Sequence, residues 1–206
     1  MGLPTVIRDL LPSGVEYLPG TLSLSWPAAQ IEIYTRTVTQ TNVFRGHYAD
    51  DFDGGAGETT GYSGRDGSFE WTGDWIEVND DGESGSGVVQ VLVDEANALS
   101  EPAYAWLSAP GGAASGLART LDLAQFLLPA LRYYPAASAG IEGDDSYQVT
   151  ASGVSLLSET YSDTYCVHEL SLSDYAGQSD VTLGWLASTD LDAGDFYRLD
   201  NVSVYD

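Results

Sequence analysis

Lysine is absent from this chain of 206 residues, and all seven basic residues are arginines. Without lysine the chain has neither a phosphate-binding Gly-Lys-Ser/Thr loop nor a side chain for Schiff-base chemistry. The only two histidines, His47 and His168, cannot form a His-Glu-x-x-His zinc motif. The single cysteine, Cys166, forms no disulfide within the chain and gives no information about the redox compartment.

Cys166 and His168 stand two residues apart in a predicted strand, which places both side chains on one face. A nucleophile and a base could share a face in this way, but neighbouring side chains on a strand point in parallel and not toward each other. A buried structural cysteine is the favoured interpretation, because free cysteine is among the most buried residue types.

Positive charge is scarce, since the seven arginines face 31 acidic residues and leave a net charge of -24 with a sequence pI near 4.1. Nucleic-acid binding needs cationic patches that these arginines barely supply, so we expect no nucleic-acid partner. No apolar run reaches the roughly 18 residues of a membrane-spanning helix, and we therefore expect no membrane insertion.

Self-repulsion from a charge of -24 destabilises a compact state unless ions screen or bridge it. In molar salt the screening length falls to about 3 Å, which makes an acidic, lysine-free surface typical of a halophilic protein. The alternative is an ordinary secreted protein with an acidic surface that binds calcium.

From His47 onward, short apolar runs recur between clusters of Gly, Asp and Ser, while helix signals are poor. This spacing predicts an antiparallel β-sandwich. The best predicted strands are residues 88–93, 147–151, 181–186 and 196–205.

The most aromatic part of this region is residues 62–82, which we expect to form two strands. Phe69 and Trp71 would share one side of the first strand, Ile76 would lie on the second, and residues 72–74 would form the turn. Six carboxylates and four glycines accompany the aromatic side chains.

Several short motifs occur in the order of a jelly-roll module of the MAM-like and carbohydrate-binding-module-like superfamily. Asp50-Asp51-Phe52 resembles the first strand of that module, and residues 62–82 and 87–91 resemble the segments that follow. Residues 197–204, read as Tyr-Arg-Leu-Asp-Asn-Val-Ser-Val, resemble its last strand. Residues 118–123, 131–134, 143–149 and 170–177 fit the intervening motifs, although the usual Ser-x-Asp-Gly turn is replaced after residue 150 by Ala-Ser-Gly-Val.

The resemblance implies an all-β antiparallel jelly-roll sandwich over residues 47–206, preceded by an N-terminal strand-bearing arm over residues 1–46. In the arm, residues 32–41 alternate as a threonine-rich strand with little apolar surface. Such a strand is weakly specified alone. It is either an edge strand of the sandwich or a segment that pairs with another protein.

Two candidate sites for a structural calcium ion follow. The resemblance implies one between the first and last strands, at Asp50 or Asp51 together with Asp200. The other is the turn with Asp190, Asp192 and Asp195, whose alternating carboxylates around a glycine suit a hard cation. The alternative for the turn is a solvated acidic loop.

Aromatic side chains flanked by loops are candidates for stacking against sugar rings. Tyr62, Trp71, Trp75 and Trp106 are the candidate ligand-binding residues, whereas Trp185 lies inside a predicted strand and is expected in the core. For each tryptophan the alternative is burial in the sandwich.

Together these features predict a non-catalytic structural or adhesive protein, specifically a virion component, capsid decoration or tail, of a tailed virus with a halophilic host. The arm would contact other virion proteins and the module would contact host-surface glycan, with the chain forming a homo-oligomer at the virion surface. The amino terminus lacks a signal-peptide pattern, so we expect either a mature fragment that carries a start Met or another route out of the cell, such as release of a virus particle at lysis. The alternative is a secreted carbohydrate-binding module of a polysaccharide-degrading system, and the third is a glycoside hydrolase or lyase.

Overall fold

The computed structural model describes residues 46–54, 61–100, 102–109 and 113–206. These residues form eleven β-strands and one short 3-10 helix, Ser173–Tyr175. The strands are β1 His47–Asp50, β2 Ile76–Val78, β3 Val89–Val93, β4 Ala103–Leu107, β5 Ser115–Leu121, β6 Ala130–Ala137, β7 Tyr147–Ala151, β8 Val154–Glu159, β9 His168–Ser171, β10 Val181–Ala187 and β11 Tyr197–Tyr205.

The strands form two antiparallel sheets packed face to face. The first sheet has the order β3-β4-β11-β6-β9, with β1 also paired to β11, and the second has the order β2-β5-β10-β7-β8. The predicted all-β jelly-roll sandwich is confirmed, as are the four best predicted strands, which correspond to β3, β7, β10 and β11. In the part of the chain that the structure describes, no helix is long and apolar enough to cross a membrane.

Residues 1–45, which make up nearly all of the predicted arm with its threonine-rich strand, lie outside the described residues. The described residues belong to one compact unit, Val43–Asp206. The division into arm and sandwich therefore stays a prediction.

The central strand of the first sheet, β11, changes partner halfway along its length. It pairs with β6 on one side, while on the other side Tyr197–Leu199 face β4 and residues 202–205 face β1. The ladder to β6 is interrupted between Asp200 and Ser203, where Asn201 has a positive φ of 48°. This irregularity lets one strand hold both β4 and β1 in the same sheet.

The core lies between the sheets because the strands alternate buried and less buried residues along their length. Trp185, Tyr133, Tyr147 and Tyr197 are fully buried there. Their rings contact one another at centroid distances of 5.1–5.9 Å, as in the Tyr147–Tyr197 and Tyr133–Trp185 pairs. The burial predicted for Trp185 is confirmed.

A buried ion pair joins β1 to β5. An Nη1 group of Arg119 donates to the Asp50 carboxylate, and both side chains are inaccessible to solvent. The same carboxylate accepts hydrogen bonds from Trp75 Nε1 at 2.7 Å and from the Phe52 amide at 2.9 Å. Burial raises the pKa of Asp50 and lowers that of Arg119, and the contact between the two charges offsets part of each shift.

The ion pair also holds the segment between β1 and β2. Arg119 donates to the carbonyls of Gly73 and Gly64, each at 2.9 Å. A Cβ atom on Gly64 would lie 2.3 Å from a carboxylate oxygen of Asp50, so only glycine allows this approach. The segment is thus fixed by side chains from β1 and β5.

The expected strand containing Phe69 and Trp71 is wrong, because these residues form turns and irregular backbone. Isolated hydrogen bonds replace a ladder here: the Phe69 amide donates to the His47 carbonyl and the Thr72 amide to the Thr120 carbonyl. Only the second half of the predicted hairpin, β2, is a strand.

Replacing Arg119 with Met should lower the free energy of unfolding by about 3–5 kcal/mol, since Asp50 would remain buried without its positive partner. Chemical denaturation of the parent and the Arg119→Met variant measures this difference.

The matched control is Arg132→Met, because Arg132 pairs with Glu169 at 3.0 Å on the surface, where both side chains are about half exposed. We expect that variant to lose less than about 1 kcal/mol. Equal losses in the two variants would show that the buried pair has no special role in stability.

Candidate functional site

Two of the four predicted ligand-binding aromatics lie in the core. Trp71 and Trp75 are only 4% and 3% exposed, and their ring centroids lie 5.9 Å apart. The guanidinium carbon of Arg119 lies 4.6 Å from the Trp71 ring centroid and 5.3 Å from that of Trp75. Such cation–π contacts account for both rings within the fold. As the structure places them, neither ring offers a free face to a sugar.

Tyr62, the third predicted residue, is half-buried beside an acidic loop. Its hydroxyl donates to a carboxylate oxygen of Glu77 and lies 3.3 Å from the Val89 carbonyl. Burial, followed by the hydrogen bond to Glu77, raises the pKa of the Tyr62 hydroxyl far above its ordinary value. Tyr62 therefore has a structural role in joining this loop to the sandwich.

Trp106, the fourth predicted residue, lies on the outer face of the first sheet and is partly exposed. The strand register places it between Gln90 of β3 and Arg198 of β11. Its ring centroid lies 5.7 Å from that of Phe196, with the ring planes inclined by 43°. Of the four predicted aromatics, Trp106 is the one that the structure leaves at an open sheet surface with a second ring beside it.

Arg198 fixes the loops around this surface. Its Nη1 group lies 3.3 Å from both the carbonyl and the side-chain oxygen of Asn97, and its Nη2 group donates to the Asp163 carbonyl at 2.7 Å. The guanidinium carbon also lies 5.1 Å from the Tyr165 ring centroid. Arg198 therefore positions the two loops, and its guanidinium keeps its positive charge because the groups that it contacts here are neutral.

The surface formed by Trp106, Phe196 and Gln90 is here called the aromatic platform. It combines two tilted rings with an amide side chain, the Nε2 group of which donates to the Gly87 carbonyl at 2.7 Å. Flat rings with polar groups at their rim suit a ligand that has one apolar face and hydroxyls at its edge. Sequence analysis missed Phe196 and Gln90, although the alternation of β3 and β4 could have identified Gln90 as a neighbour of Trp106.

Cys166 and His168 do not form a dyad. The Cys166 sulfur lies 3.9 Å from the Pro135 carbonyl oxygen, and burial raises the pKa of its thiol. The His168 ring packs against Tyr133 and Tyr161, at centroid distances of 5.5 and 4.9 Å. Cys166 is partly buried and precedes β9, so these contacts agree with a structural role for it, although its burial is less complete than predicted.

Asp50, Asp51 and Asp66 bring carboxylate oxygens within 4.8 Å of one another. The Asp50 carboxylate accepts from Arg119, Trp75 and the Phe52 amide, whereas Asp51 and Asp66 each accept one backbone amide and lie nearer the surface. Burial, together with the nearby negative charge of Asp51, raises the pKa of Asp66 to about 6. Asp51 and Asp66 are therefore the members of this group with capacity left for a hard cation.

Asp200 lies in a separate environment. Its carboxylate accepts hydrogen bonds from the amides of Leu99, Ser100 and Asn201 and from the Ser100 hydroxyl, at 2.7–3.2 Å. Burial raises the pKa of Asp200 to about 7. The carboxylate anchors the chain that leads into β4, and all the contacts named are with protein donors.

The three carboxylates of the acidic turn after β10 do not share one environment, although their spacing in the sequence is regular. Asp190 and Asp192 are exposed, while Asp195 is buried and accepts a hydrogen bond from the Ser138 hydroxyl at 3.2 Å. Across the described ranges, the groups of three close carboxylates include neither this turn nor Asp200. The second such group, Glu77, Asp80 and Asp81, was not anticipated, and its carboxylates accept hydrogen bonds within their own loop.

Known structures with similar folds include adhesive and carbohydrate-binding domains. The K2 cleaved adhesin domain of Lys-gingipain from Porphyromonas gingivalis matches with a TM-score of 0.50 and 15% identity, covering 78% of this chain and 99% of that domain. The CBM22-1 xylan-binding domain of Paenibacillus barcinonensis Xyn10C matches with a TM-score of 0.47 and 17% identity, covering 76% of this chain and 91% of that one. No protein-family model and no curated protein matches the sequence.

The CBM22-1–GH10 modules of a Clostridium thermocellum endo-1,4-β-D-xylanase, complexed with xylohexaose, match with a TM-score of 0.49 and 9% identity over 77% of this chain and 28% of that one. At 15% identity, the likeness to the adhesin domain shows the jelly-roll fold alone. Function must therefore be argued from the residues of this chain.

Alanine substitution should separate the buried from the exposed tryptophans. Trp75→Ala should lower the free energy of unfolding by about 3–5 kcal/mol, since it leaves a cavity beside Trp185 and removes a donor from Asp50. Trp106→Ala should cost less than about 1.5 kcal/mol, because its ring is partly in solvent. Denaturant melts of both variants measure these changes in the free energy of unfolding. Equal losses would show that Trp106 contributes as much to stability as a core tryptophan.

Proposed function

We propose that residues 47–206 form a non-catalytic domain that binds glycan through the aromatic platform. The observation that carries this proposal is the Trp106–Phe196 ring pair on an outer sheet face, bordered by Gln90. The ring face supplies apolar contact for the C–H face of a sugar, and the amide is placed to bond hydroxyls at its rim.

The negative charge of the chain favours neutral glycans over acidic ones as the class of ligand. With a net charge of -24, the protein repels uronate and sulfate groups. The guanidinium of Arg198 lies beside the platform and keeps its positive charge while bonded to neutral groups, but this single charge is far smaller than the net charge of -24. A neutral oligosaccharide avoids this cost.

Trp106→Ala should weaken binding of a neutral oligosaccharide by about 1–3 kcal/mol, which corresponds to about 5- to 150-fold in affinity. The physical reason is loss of the stacked ring without loss of the fold. Titration calorimetry with oligosaccharides selected from an array of neutral and acidic glycans measures the change.

Trp106→Phe is the matched control, because it keeps an aromatic face and should retain most of the affinity. A parent protein that binds no glycan on the array would contradict the proposal. Unchanged affinity in Trp106→Ala, with binding present, would place the glycan site elsewhere on the domain.

The finer proposal is that this domain belongs to a virion protein, a capsid decoration or tail component, of a tailed virus with a halophilic host. The acidic, lysine-free composition supports a high-salt medium. In this proposal, residues 1–46 contact other virion proteins and the platform faces host glycan. A gene neighbourhood of secreted hydrolases would favour the alternative, a carbohydrate-binding module of a polysaccharide-degrading system.

A structural calcium ion is proposed as part of this function. Asp51 and Asp66 would supply the ligand oxygens, with Asp50 held back by its bond to Arg119. An ion there would neutralise adjacent carboxylates at the entrance to the segment that β1 and β5 hold in place. The sites predicted at Asp200 and at Asp190, Asp192 and Asp195 stay predictions.

The melting temperature should be lowest in chelator at low salt, and it should rise both in molar NaCl and on addition of calcium. Salt screens the charge of -24, and calcium adds the free energy of binding to the folded state. Asp66→Asn should abolish the calcium-dependent increase while leaving the increase due to salt.

Asp190→Asn is the control for the carboxylate change, since Asp190 is exposed and lies in the other candidate turn. If Asp190→Asn, and not Asp66→Asn, removes the calcium effect, the ion is held by the turn after β10. A melting temperature that is independent of both ions would contradict the halophilic and the calcium proposals together.

A further inference from the structure

The outer face of the second sheet is uncharged in its central rows. One row crosses all five strands at Val78, Gly116, Leu186, Gln148 and Ser158. The next row runs from Ile76 of β2 through an alanine and a glycine to Thr150 of β7. Neither row contains a charged residue, in a chain that carries 31 carboxylates. By contrast, the outer face of the first sheet carries Arg132, Glu169 and Arg198.

The same face carries small, apolar or uncharged polar side chains. Its middle strands present glycine, alanine and threonine together with Leu186 and Gln148, and the hydroxyls of Thr120 and Thr182 bond to each other at 3.0 Å. Ile76 is 67% exposed at the β2 edge of the sheet. Short side chains allow another sheet to approach to the roughly 10 Å spacing of packed sheets.

A groove of about 220 Å³ crosses the face at one end of its central strands, from Ala114 just before β5 to Ser158 of β8. Its lining includes Leu186, Gln148, Ser146, Ser158, Ser188 and Thr189, and all of these side chains are uncharged. Ile76 and Val78 lie on β2, at the far side of the sheet from β8. The exposed apolar residues of β2 and the part of the groove that β7 and β8 line are thus on opposite sides of β10.

We infer that this face is where two copies of the chain associate. Two molecules with charges of -24 repel each other at any acidic surface, and a face without charge minimises that cost. A two-fold axis along the central strand β10 would lay the β2 edge of each copy over the β7–β8 side of its partner. Ile76 and Val78 would then cover the part of the groove that β7 and β8 line, in both halves of a self-complementary contact.

The size of the face sets the strength of this association. Five strands about 4.8 Å apart and about 17 Å long give roughly 400 Å² per copy, which is about half of a standard interface. The dimer should therefore be weak and concentration-dependent. It should also require salt, because the acidic surfaces outside the face still repel across the contact.

Sedimentation velocity of the full chain from micromolar to about millimolar concentration, at low and molar NaCl, tests the inference. We expect reversible dimers in molar salt and fewer at low salt. Ile76→Glu and Ser158→Glu should each weaken the dimer at least about tenfold, because each variant places a carboxylate in an otherwise neutral contact.

Leu128→Glu and Ser171→Glu are the matched controls. Leu128 is 72% exposed and lies off the face, and Ser171 lies on β9, the edge strand of the other sheet. Both controls should change the dissociation constant by less than about twofold. A parent chain that remains monomeric in molar salt would overturn the inference. So would a dimer that both face variants leave intact, since another surface, including residues 1–45, would then mediate it.

Discussion

The buried pair between Arg119 and Asp50 is the contact on which the first part of the domain depends. It lies where β1, β5 and the aromatic segment before β2 meet, and no other element fixes that segment with a ladder of backbone hydrogen bonds. A charge pair in the core is costly unless its remaining hydrogen-bonding groups are also satisfied. Here Trp75 and the Phe52 amide donate to Asp50, and the Gly64 and Gly73 carbonyls accept from Arg119, while the Nη2 group of Arg119 is buried without a hydrogen-bond partner among the described residues.

This arrangement also decides what the aromatic residues do. Trp71 and Trp75 pack against the guanidinium of Arg119 and help to enclose this buried charge. Trp106 has no such partner below it, since it lies on the solvent side of β4 with Phe196 beside it. The same residue type therefore stabilises the fold in one place and forms part of the proposed ligand surface in another.

The sequence was sufficient to predict the positions of strands such as β3, β7, β10 and β11, because period-two alternation between turn residues directly indicates a half-buried sheet. It was insufficient for Phe69 and Trp71, where strand propensity competes with contacts to residues distant in the sequence: Phe69 packs against Tyr48 and Phe126, and Trp71 packs against Arg119. Burial of Trp75 has the same origin. Asp66 was not identified as a partner of Asp51 either, since the close approach of Gly67 to the backbone of β1, which brings them together, leaves no local pattern.

The two outer faces of the sandwich differ because the central strands of the two sheets, β11 and β10, pair with their neighbours in different ways. On one side β11 pairs first with β4 and then with β1, and the irregularity after Asp200 lies at this change of partner. The Asp200 carboxylate also anchors the chain that leads to Trp106. Polar and aromatic side chains consequently gather around that break. β10 pairs without interruption along its length with β5, and its outer positions, Thr182, Gly184 and Leu186, are uncharged. The irregular strand thus lies under the proposed ligand surface, and the regular strand lies under the face that we infer to contact another sheet.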